Sequence, residues 1–287
     1  MQKLIDIGLN LTDKQFAKDR EEVVERALKN GVSQMILTGS NVKSSKAAAN
    51  LAKEYPNILF ATAGIHPHDA KSFHHDSIQE LRRLAEQKEV VAIGECGLDF
   101  NRMFSPQPIQ EQCFEAQLDL ADELELPLFL HERDAHNRFC EIFAHHAHLA
   151  EKAVVHCFTG SVAEVKKYIS MGFYIGITGW ICDERRGQEL QEAVKYIPLD
   201  RLLIETDAPY LLPRNLKNKP KNRRNEPAFL PHITGDIAKY MGVSAEEVAE
   251  YSTENAKRLF SYLDFSACSP ALHRTGFFIF YSLFFEN

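Results

Sequence analysis

Acidic and imidazole side chains recur in this sequence at the ends of short apolar runs. Glu95 follows the run at 90–94, His131 follows 127–130, His156 follows 153–155, and Asp207 comes shortly after 202–204. An ionisable group among apolar residues is costly to bury unless it is paired or bound to a metal. Imidazole and carboxylate groups bind divalent metals. The four residues together therefore predict a metal site, although each histidine alone is more often a hydrogen-bonded core residue.

The elements that carry these residues alternate between strand-like and helix-like patterns. Predicted strands are residues 4–7, 34–38, 58–63, 90–94, 127–131, 153–156, 174–178 and 202–205. Predicted helices are residues 20–29, 44–53, 77–86, 109–124, 135–146, 162–170 and 189–196. The alternation predicts a parallel sheet, and no G-x-G-x-x-G follows the first strand. We therefore expect an α/β fold of the single-domain (β/α)8 TIM barrel type, whose active site is built at the carboxyl ends of the strands.

Composition limits the classes of function. The net charge is −7, which argues against a broad cationic face for duplex DNA, although a metal and a few arginines can supply a local positive field. The six cysteines form no C-x-x-C pair, and no signal peptide precedes the first apolar run. We expect a cytoplasmic enzyme with reduced thiols and no membrane partner. The sequence identifies no protein partner.

Five motifs resemble those of TatD-type deoxyribonucleases of the amidohydrolase superfamily. They are DIGLNLT at 6–12, GIHPH at 64–68, IGECGLDF at 93–100, HCFTG at 156–160 and IETDAPY at 204–210. The resemblance extends from about residue 3 to about residue 265. Two further motifs, DERRG at 183–187 and RRNEP at 223–227, strengthen the resemblance to this family. The combination in this order is highly specific, whereas each motif alone is weak.

The resemblance implies a function. Glu95, His131, His156 and Asp207 would hold a divalent metal in an enzyme that trims single-stranded DNA from its 3′ end, with RNA left open as a second substrate. Magnesium would be the usual ion, with manganese or zinc as alternatives, and the implied role is in DNA repair or degradation. Many relatives carry His-x-His after the first strand, whereas this chain has Gly8 and Asn10 there. A second metal should therefore bind more weakly.

Roles follow for the residues around the metal. Glu95 and Asp207 are the expected catalytic residues, and Asp207 would bind the ion or take a proton from its water. Asn10 and Glu205 would support the ligands from behind, with a buried salt bridge as the simpler explanation of Glu205. The expected substrate contacts are His66, His68, Arg133, Arg185, Arg186, Arg223 and Arg224. Phe100, Phe104, Trp180 and Tyr210 would stack on unpaired bases or simply pack the rim.

Two alternatives stay open. A metallohydrolase of the same fold that cleaves an amide, a lactone or an ester would use the same ligands, because the ligand set does not fix the substrate. A non-catalytic barrel that binds a ligand is the other alternative. We expect the barrel at residues 1–265 and a divergent apolar extension at residues 266–287. The aromatic run at 276–285 in that extension is too short to span a bilayer, which needs about 20 apolar residues.

Overall fold

A computed structural model describes residues 3–261 of the chain. Eight parallel strands form one sheet in the order of the sequence. They are β1 (Leu4–Leu9), β2 (Val32–Leu37), β3 (Leu59–Ala63), β4 (Val90–Asp99), β5 (Leu128–Arg133), β6 (Ala153–Val155), β7 (Tyr174–Ile177) and β8 (Leu202–Ile204). The (β/α)8 barrel expected from the sequence is confirmed. The predicted extension at residues 266–287 lies outside the described residues.

Helices cover the outside of the strands. They are α1 (Arg20–Lys29), α2 (Val42–Glu54), α3 (His75–Ala85), α4 (Gln107–Leu124), α5 (His136–Phe143), α6 (Val162–Met171), α7 (Gln188–Ala193), α8 (Leu230–Met241) and α9 (Ala245–Leu259). Short 3₁₀ turns lie between several of these elements. Within residues 3–261, no helix is both long enough and apolar enough to cross a membrane.

Hydrogen bonds close the barrel between its first strand and the chain that follows its last. The Asp207 amide donates to the Gly8 carbonyl at 2.8 Å, and the Asn10 amide donates to the Ala208 carbonyl at 2.8 Å. Asp6, buried at the centre of β1, accepts hydrogen bonds from the amide and the hydroxyl of Thr206. The ends of the sheet are therefore joined beside Asp207.

Two apolar cores hold this arrangement. One lies between the strands and the surrounding helices, and the other fills the inside of the barrel. Residues Ala256, Leu259 and Phe260 at the end of α9 belong to the inner core, where they meet Ile5 and Leu203. The end of α9 thus packs against the inner residues of the barrel, leaving the opposite, carboxyl rim for the polar residues. The sequence analysis assigned no element to α8 or α9.

Strand β4 is longer than the sequence analysis expected. It continues to Asp99, five residues beyond the predicted end, and pairs with β5 from Ile93↔Leu128 to Asp99↔Arg133. Its register shifts between Gly94 and Cys96, and Gly97 has a φ of 143°, a value that favours glycine. Glu95 therefore lies within a strand and not after one.

The contact between β3 and β4 below the rim predicts different effects for two alanine substitutions. A Cβ atom on Gly64 would lie 2.3 Å from the carbonyl carbon of Gly94, whereas a Cβ atom on Gly235 in α8 meets nothing within 4 Å. Gly64→Ala should lower the free energy of unfolding by about 1–3 kcal/mol through overpacking. Gly235→Ala should raise it by about 0.5–1 kcal/mol through helix propensity. Urea unfolding measures both, and equal effects would contradict this account of the packing.

Candidate active site

A cavity of about 710 Å³ opens at the carboxyl ends of the strands. It brings together eight of the predicted site residues, which are Asn10, His66, His68, Glu95, His131, Arg133, His156 and Asp207. They reach the rim from β1, from the turn after β3, from β4 and β5, and from the turns after β6 and β8. Residues far apart in the chain therefore share one polar pocket above an apolar barrel.

The centre of the pocket is one carboxylate oxygen. Oε1 of Glu95 lies 2.8 Å from His156 Nε2, 3.1 Å from His131 Nδ1 and 3.3 Å from His66 Nε2. Glu95, His66 and His156 are buried, and His131 is half-buried. Three imidazole nitrogens and a carboxylate thus meet where water has little access.

These contacts control the ionisation of the buried groups. Burial alone would raise the pKa of Glu95, but the neighbouring imidazoles of His66 and His156 hold it well below its usual value. Burial alone would lower the pKa of His156, but the carboxylates of Glu205 and Glu95 raise it well above its usual value. Burial lowers the pKa of His66 despite the nearby carboxylate of Glu95. The pocket therefore stabilises an ionised Glu95.

The donor set fits a divalent cation. His66, Glu95 and His131 each offer a ligand atom, and these atoms lie within 4.8 Å of one another. The Nε2 atom of His131 is buried without a hydrogen-bond partner, 3.5 Å from a carboxylate oxygen of Asp99. The compact group contains His66, which the sequence analysis expected to contact substrate. His156 touches the same oxygen of Glu95 from the other side.

Glu205 stands behind His156. It is fully buried, with Oε2 3.2 Å from His156 Nδ1 and Oε1 accepting a hydrogen bond from the Cys157 amide. This contact leaves His156 Nε2 pointing at Glu95. A Cβ atom at position 8 would lie 2.2 Å from Glu205 Oε2, so a side chain there would require the Glu205 carboxylate to shift. Gly8 therefore lets the Glu205 carboxylate lie directly against the backbone of β1.

Asp207 lies at the edge of the pocket in a left-handed backbone conformation, with a φ of 53°. Its Oδ1 accepts a hydrogen bond from Asn10 Nδ2 at 2.8 Å. Burial and the neighbouring carboxylates of Glu95 and Glu205 raise its pKa to about 7, against the opposing effects of His156 and Asn10. Asn10 therefore supports Asp207 directly, beside the backbone bond to Gly8.

The sequence analysis missed Asp99, Lys71 and Arg102. Asp99 Oδ2 lies 2.6 Å from His68 Nε2, and the nearby imidazoles together with hydrogen bonds from backbone amides keep the pKa of Asp99 low despite its burial. The signal for Asp99 was its position in the IGECGLDF motif. Lys71 and Arg102 line the cavity together with Arg133, and these three side chains are called its cationic wall. Nothing in the local sequence distinguishes Lys71 and Arg102 from other surface cations.

The arginines of the two later loops do not line the cavity. Arg185 and Arg186 pair with Asp183 at 3.4 and 3.1 Å, and Arg186 also stacks over Trp180. Arg223 is exposed in the loop after β8. The location of these three after β7 and β8 is as expected, and their contact with substrate stays a prediction.

Arg224 is held by other residues of the chain. Its guanidinium is 7% exposed and donates to Asp19 at 2.6 Å, to Glu226 at 2.7 Å and to the Gln15 carbonyl. It also lies over the ring of Phe16. All of its strong contacts are within the chain, so Arg224 joins the loop after β8 to the segment before α1. Its contact with phosphate stays a prediction.

The aromatic residues divide into two groups. Phe104 and Tyr210 line the cavity and are 54% and 50% exposed, and Trp180 lines it while partly buried. Phe100 packs against the core and does not line the cavity. The first group is available to a ligand.

Comparisons with known proteins agree with this geometry. The model of a family described as TatD related DNase matches residues 5–261. A protein of Erwinia tasmaniensis named 3′-5′ ssDNA/RNA exonuclease TatD is 53% identical over 258 residues, which is 90% of this chain and 100% of that protein. A protein of the same name from Salmonella typhimurium is 52% identical over 257 residues, 90% of this chain and 98% of that protein.

Solved structures give the same likeness. The crystal structure of a TatD homologue from Escherichia coli has a TM-score of 0.80 and 27% identity, and the match covers 90% of this chain and 98% of that chain. A TatD-family hydrolase from Entamoeba histolytica has a TM-score of 0.79 and 30% identity, with the same coverage. An amidohydrolase from Saccharomyces cerevisiae has a TM-score of 0.82 and 23% identity, and the match covers 91% of this chain and 100% of that chain. This likeness supports the fold alone.

The contacts of Arg224 predict a large loss of stability on its removal. Arg224→Ala leaves the Asp19 carboxylate without its main partner and the Glu226 carboxylate with Arg26 alone, so it should lower the free energy of unfolding by about 3 kcal/mol. Arg185→Ala, at an exposed guanidinium, should change it by less than about 1 kcal/mol. Chemical denaturation measures both. A small effect of Arg224→Ala together with a higher KM for substrate would restore its role as a phosphate contact.

Proposed function

Because the chain belongs to the TatD-related DNase family, we propose that it is a metal-dependent exonuclease that removes nucleotides from the 3′ end of single-stranded DNA, and of RNA. The observation that carries the proposal is the contact of one buried Glu95 oxygen with three imidazoles beneath a wall of cationic side chains. Carboxylate and imidazole ligands suit a divalent cation, and the cationic wall suits a phosphodiester.

Glu95 and His131 would hold the ion, with His156, Asp207 and His66 as the remaining donors around them. We propose Mg²⁺ as the ion, and the imidazole donors also suit Mn²⁺ and Zn²⁺. A divalent cation in this position supplies neutralisation of phosphate charge and acidification of a water molecule. Glu205 keeps the His156 imidazole turned towards Glu95 by accepting from its other nitrogen.

Proton transfer is assigned to Asp207. The attacking water loses a proton as its oxygen bonds to phosphorus, and the Asp207 carboxylate, held by Asn10, is the acceptor. The bond between phosphorus and the 3′ oxygen of the preceding nucleotide breaks, and that oxygen takes up a proton from solvent water to become a hydroxyl. His68, oriented by Asp99 at 2.6 Å, is the neighbouring imidazole that can donate to the substrate phosphate.

The rim favours unpaired nucleic acid. Arg133, Lys71 and Arg102 give the pocket a local positive wall on a molecule whose net charge is −7. Such a wall attracts the few phosphates near a strand end more than it attracts a long duplex. The exposed rings of Phe104 and Tyr210 offer stacking surfaces for bases that are not already stacked in a duplex.

The first prediction from the proposed function concerns Glu95. Glu95→Gln keeps the size of the side chain but removes the charge that the three imidazoles face, so the rate of nucleotide release should fall by more than about 100-fold, the upper range for residues that only support a ligand. Glu141→Gln, at an exposed position on α5, should leave the rate unchanged. A single-stranded DNA oligonucleotide labelled at its 5′ end, incubated with Mg²⁺, Mn²⁺ or EDTA, reports shortening from the 3′ end.

The outcomes separate the alternatives. Shortening that needs a divalent ion and the Glu95 carboxylate supports the proposal. Folded protein that shortens neither DNA nor RNA with any of these ions would contradict the proposed nuclease function and favour a small-molecule metallohydrolase. Equal activity of Glu95→Gln and the unmodified protein would exclude this pocket as the active site.

A second prediction concerns the aromatic rim. Phe104→Ala removes a stacking surface worth about 1–3 kcal/mol per base and should raise KM for single-stranded DNA by about 10-fold or more, with a smaller change in kcat. Tyr251→Ala, at an exposed ring on α9, is the matched control. Steady-state kinetics on oligonucleotides of one length measure both. An unchanged KM for Phe104→Ala would show that the ring only packs against His68.

A further inference from the structure

A second group of metal-ligating side chains lies away from the cavity. Cys182 ends the 3₁₀ turn Gly179–Cys182 after β7, and His232 and Asp236 lie four residues apart on α8. Residues at this spacing share one face of a helix. Their ligand atoms lie within 4.8 Å of that of Cys182 and of each other. None of the three lines the cavity.

The distances are close to those of a metal site. Tetrahedral zinc bonds of about 2.0–2.3 Å hold neighbouring ligand atoms about 3.3–3.8 Å apart. The three ligand atoms are therefore at most about 1.5 Å farther apart than the ligands of a bound zinc ion. Cys182 is 3% exposed, whereas His232 and Asp236 are half-buried, so the group is open to solvent on the helix side only.

The polar contacts of the group involve a neutral side chain and no cationic one among the described residues. Within residues 3–261, no Lys or Arg side chain forms an ion pair with Asp236, and the Cys182 sulfur lies within 4.8 Å of its carboxylate. The side-chain amide of Asn215 spans the pair on the helix, with Oδ1 2.6 Å from His232 Nε2 and Nδ2 2.5 Å from Asp236 Oδ2. A neutral amide thus bridges two groups that both have ligand atoms to offer.

We propose that Cys182, His232 and Asp236 bind a Zn²⁺ ion separate from the cation of the active site. One thiolate, one imidazole and one carboxylate are a donor set that zinc accepts in proteins, and the thiolate distinguishes this site from one for magnesium. Asn215 Oδ1 or water completes the coordination. The ion joins α8 to the turn that carries Trp180, two residues before Cys182, and so braces one wall of the cavity.

Cobalt substitution tests the site without measuring activity. The full chain is stripped of metal and titrated with Co²⁺, whose bond to a thiolate gives a charge-transfer absorption in the near ultraviolet. We expect this band in the unmodified protein and its loss on addition of Zn²⁺. Cys182→Ser should abolish the band, and His232→Gln or Asp236→Asn should weaken Co²⁺ binding at Cys182 by about 10-fold or more.

Two other thiols provide matched controls. Cys157→Ser removes the thiol that lines the cavity, and Cys140→Ser removes the thiol beside His136, and the band should persist in both variants. Absence of the band in folded, unmodified protein would overturn the proposal, as would its survival in Cys182→Ser. If Cys182→Ser does not fold, Asp236→Asn decides, because an unchanged affinity for Co²⁺ in that variant would equally contradict the site.

Discussion

The contact of one Glu95 oxygen with three imidazoles is the interaction on which the arrangement of the rim depends. A carboxylate buried without partners costs several kcal/mol, so its position in β4 is tolerable only while His66, His131 and His156 reach it from neighbouring strands. The strand order brings these residues together because β3, β4, β5 and β6 are consecutive neighbours in the sheet. The charge of Glu95 can therefore be stabilised only while these strands keep their order and register.

Two further buried carboxylates, those of Glu205 and Asp6, hold the residues around Glu95 in position. Glu205 holds His156 and fills the space over Gly8, while Asp6 holds Thr206 and with it the turn that leads to Asp207. Burial raises the pKa of Asp6 to about 7, against its hydrogen bonds to Thr206. The closure of the barrel and the placement of Asp207 thus share the same hydrogen bonds. A site of this kind is costly in stability and is supported by the two apolar cores around it.

Much of the fold could be predicted from the sequence, because strand and helix periodicities are local properties. The eight strands and the convergence of Glu95, His131, His156 and Asp207 follow from apolar runs that end in polar residues. The extension of β4 to Asp99 could not be predicted, since Glu95, Gly97 and Asp99 suggest the end of a strand and only pairing with β5 continues it.

The ion pairs of surface cations also depend on the tertiary structure and could not be predicted from the sequence. Arg223 and Arg224 are adjacent in one loop, yet Arg224 is buried against Asp19 while Arg223 is exposed. Lys71 and Arg102 reach the cavity from segments whose sequence carries no distinguishing pattern. A loop position therefore indicates which side of the barrel a cation is on, but its burial and its ion pairs decide whether it is free to meet a substrate.

Anomalous scattering from crystals of the full chain grown with Mn²⁺ tests the central claim most directly. The account predicts a manganese peak bonded to Glu95 and His131, beside His156, His66 and Asp207. Clear density for an ordered Glu95 with its imidazoles and no manganese at that oxygen, at Mn²⁺ concentrations that support activity, would contradict the claim that this carboxylate holds the catalytic ion.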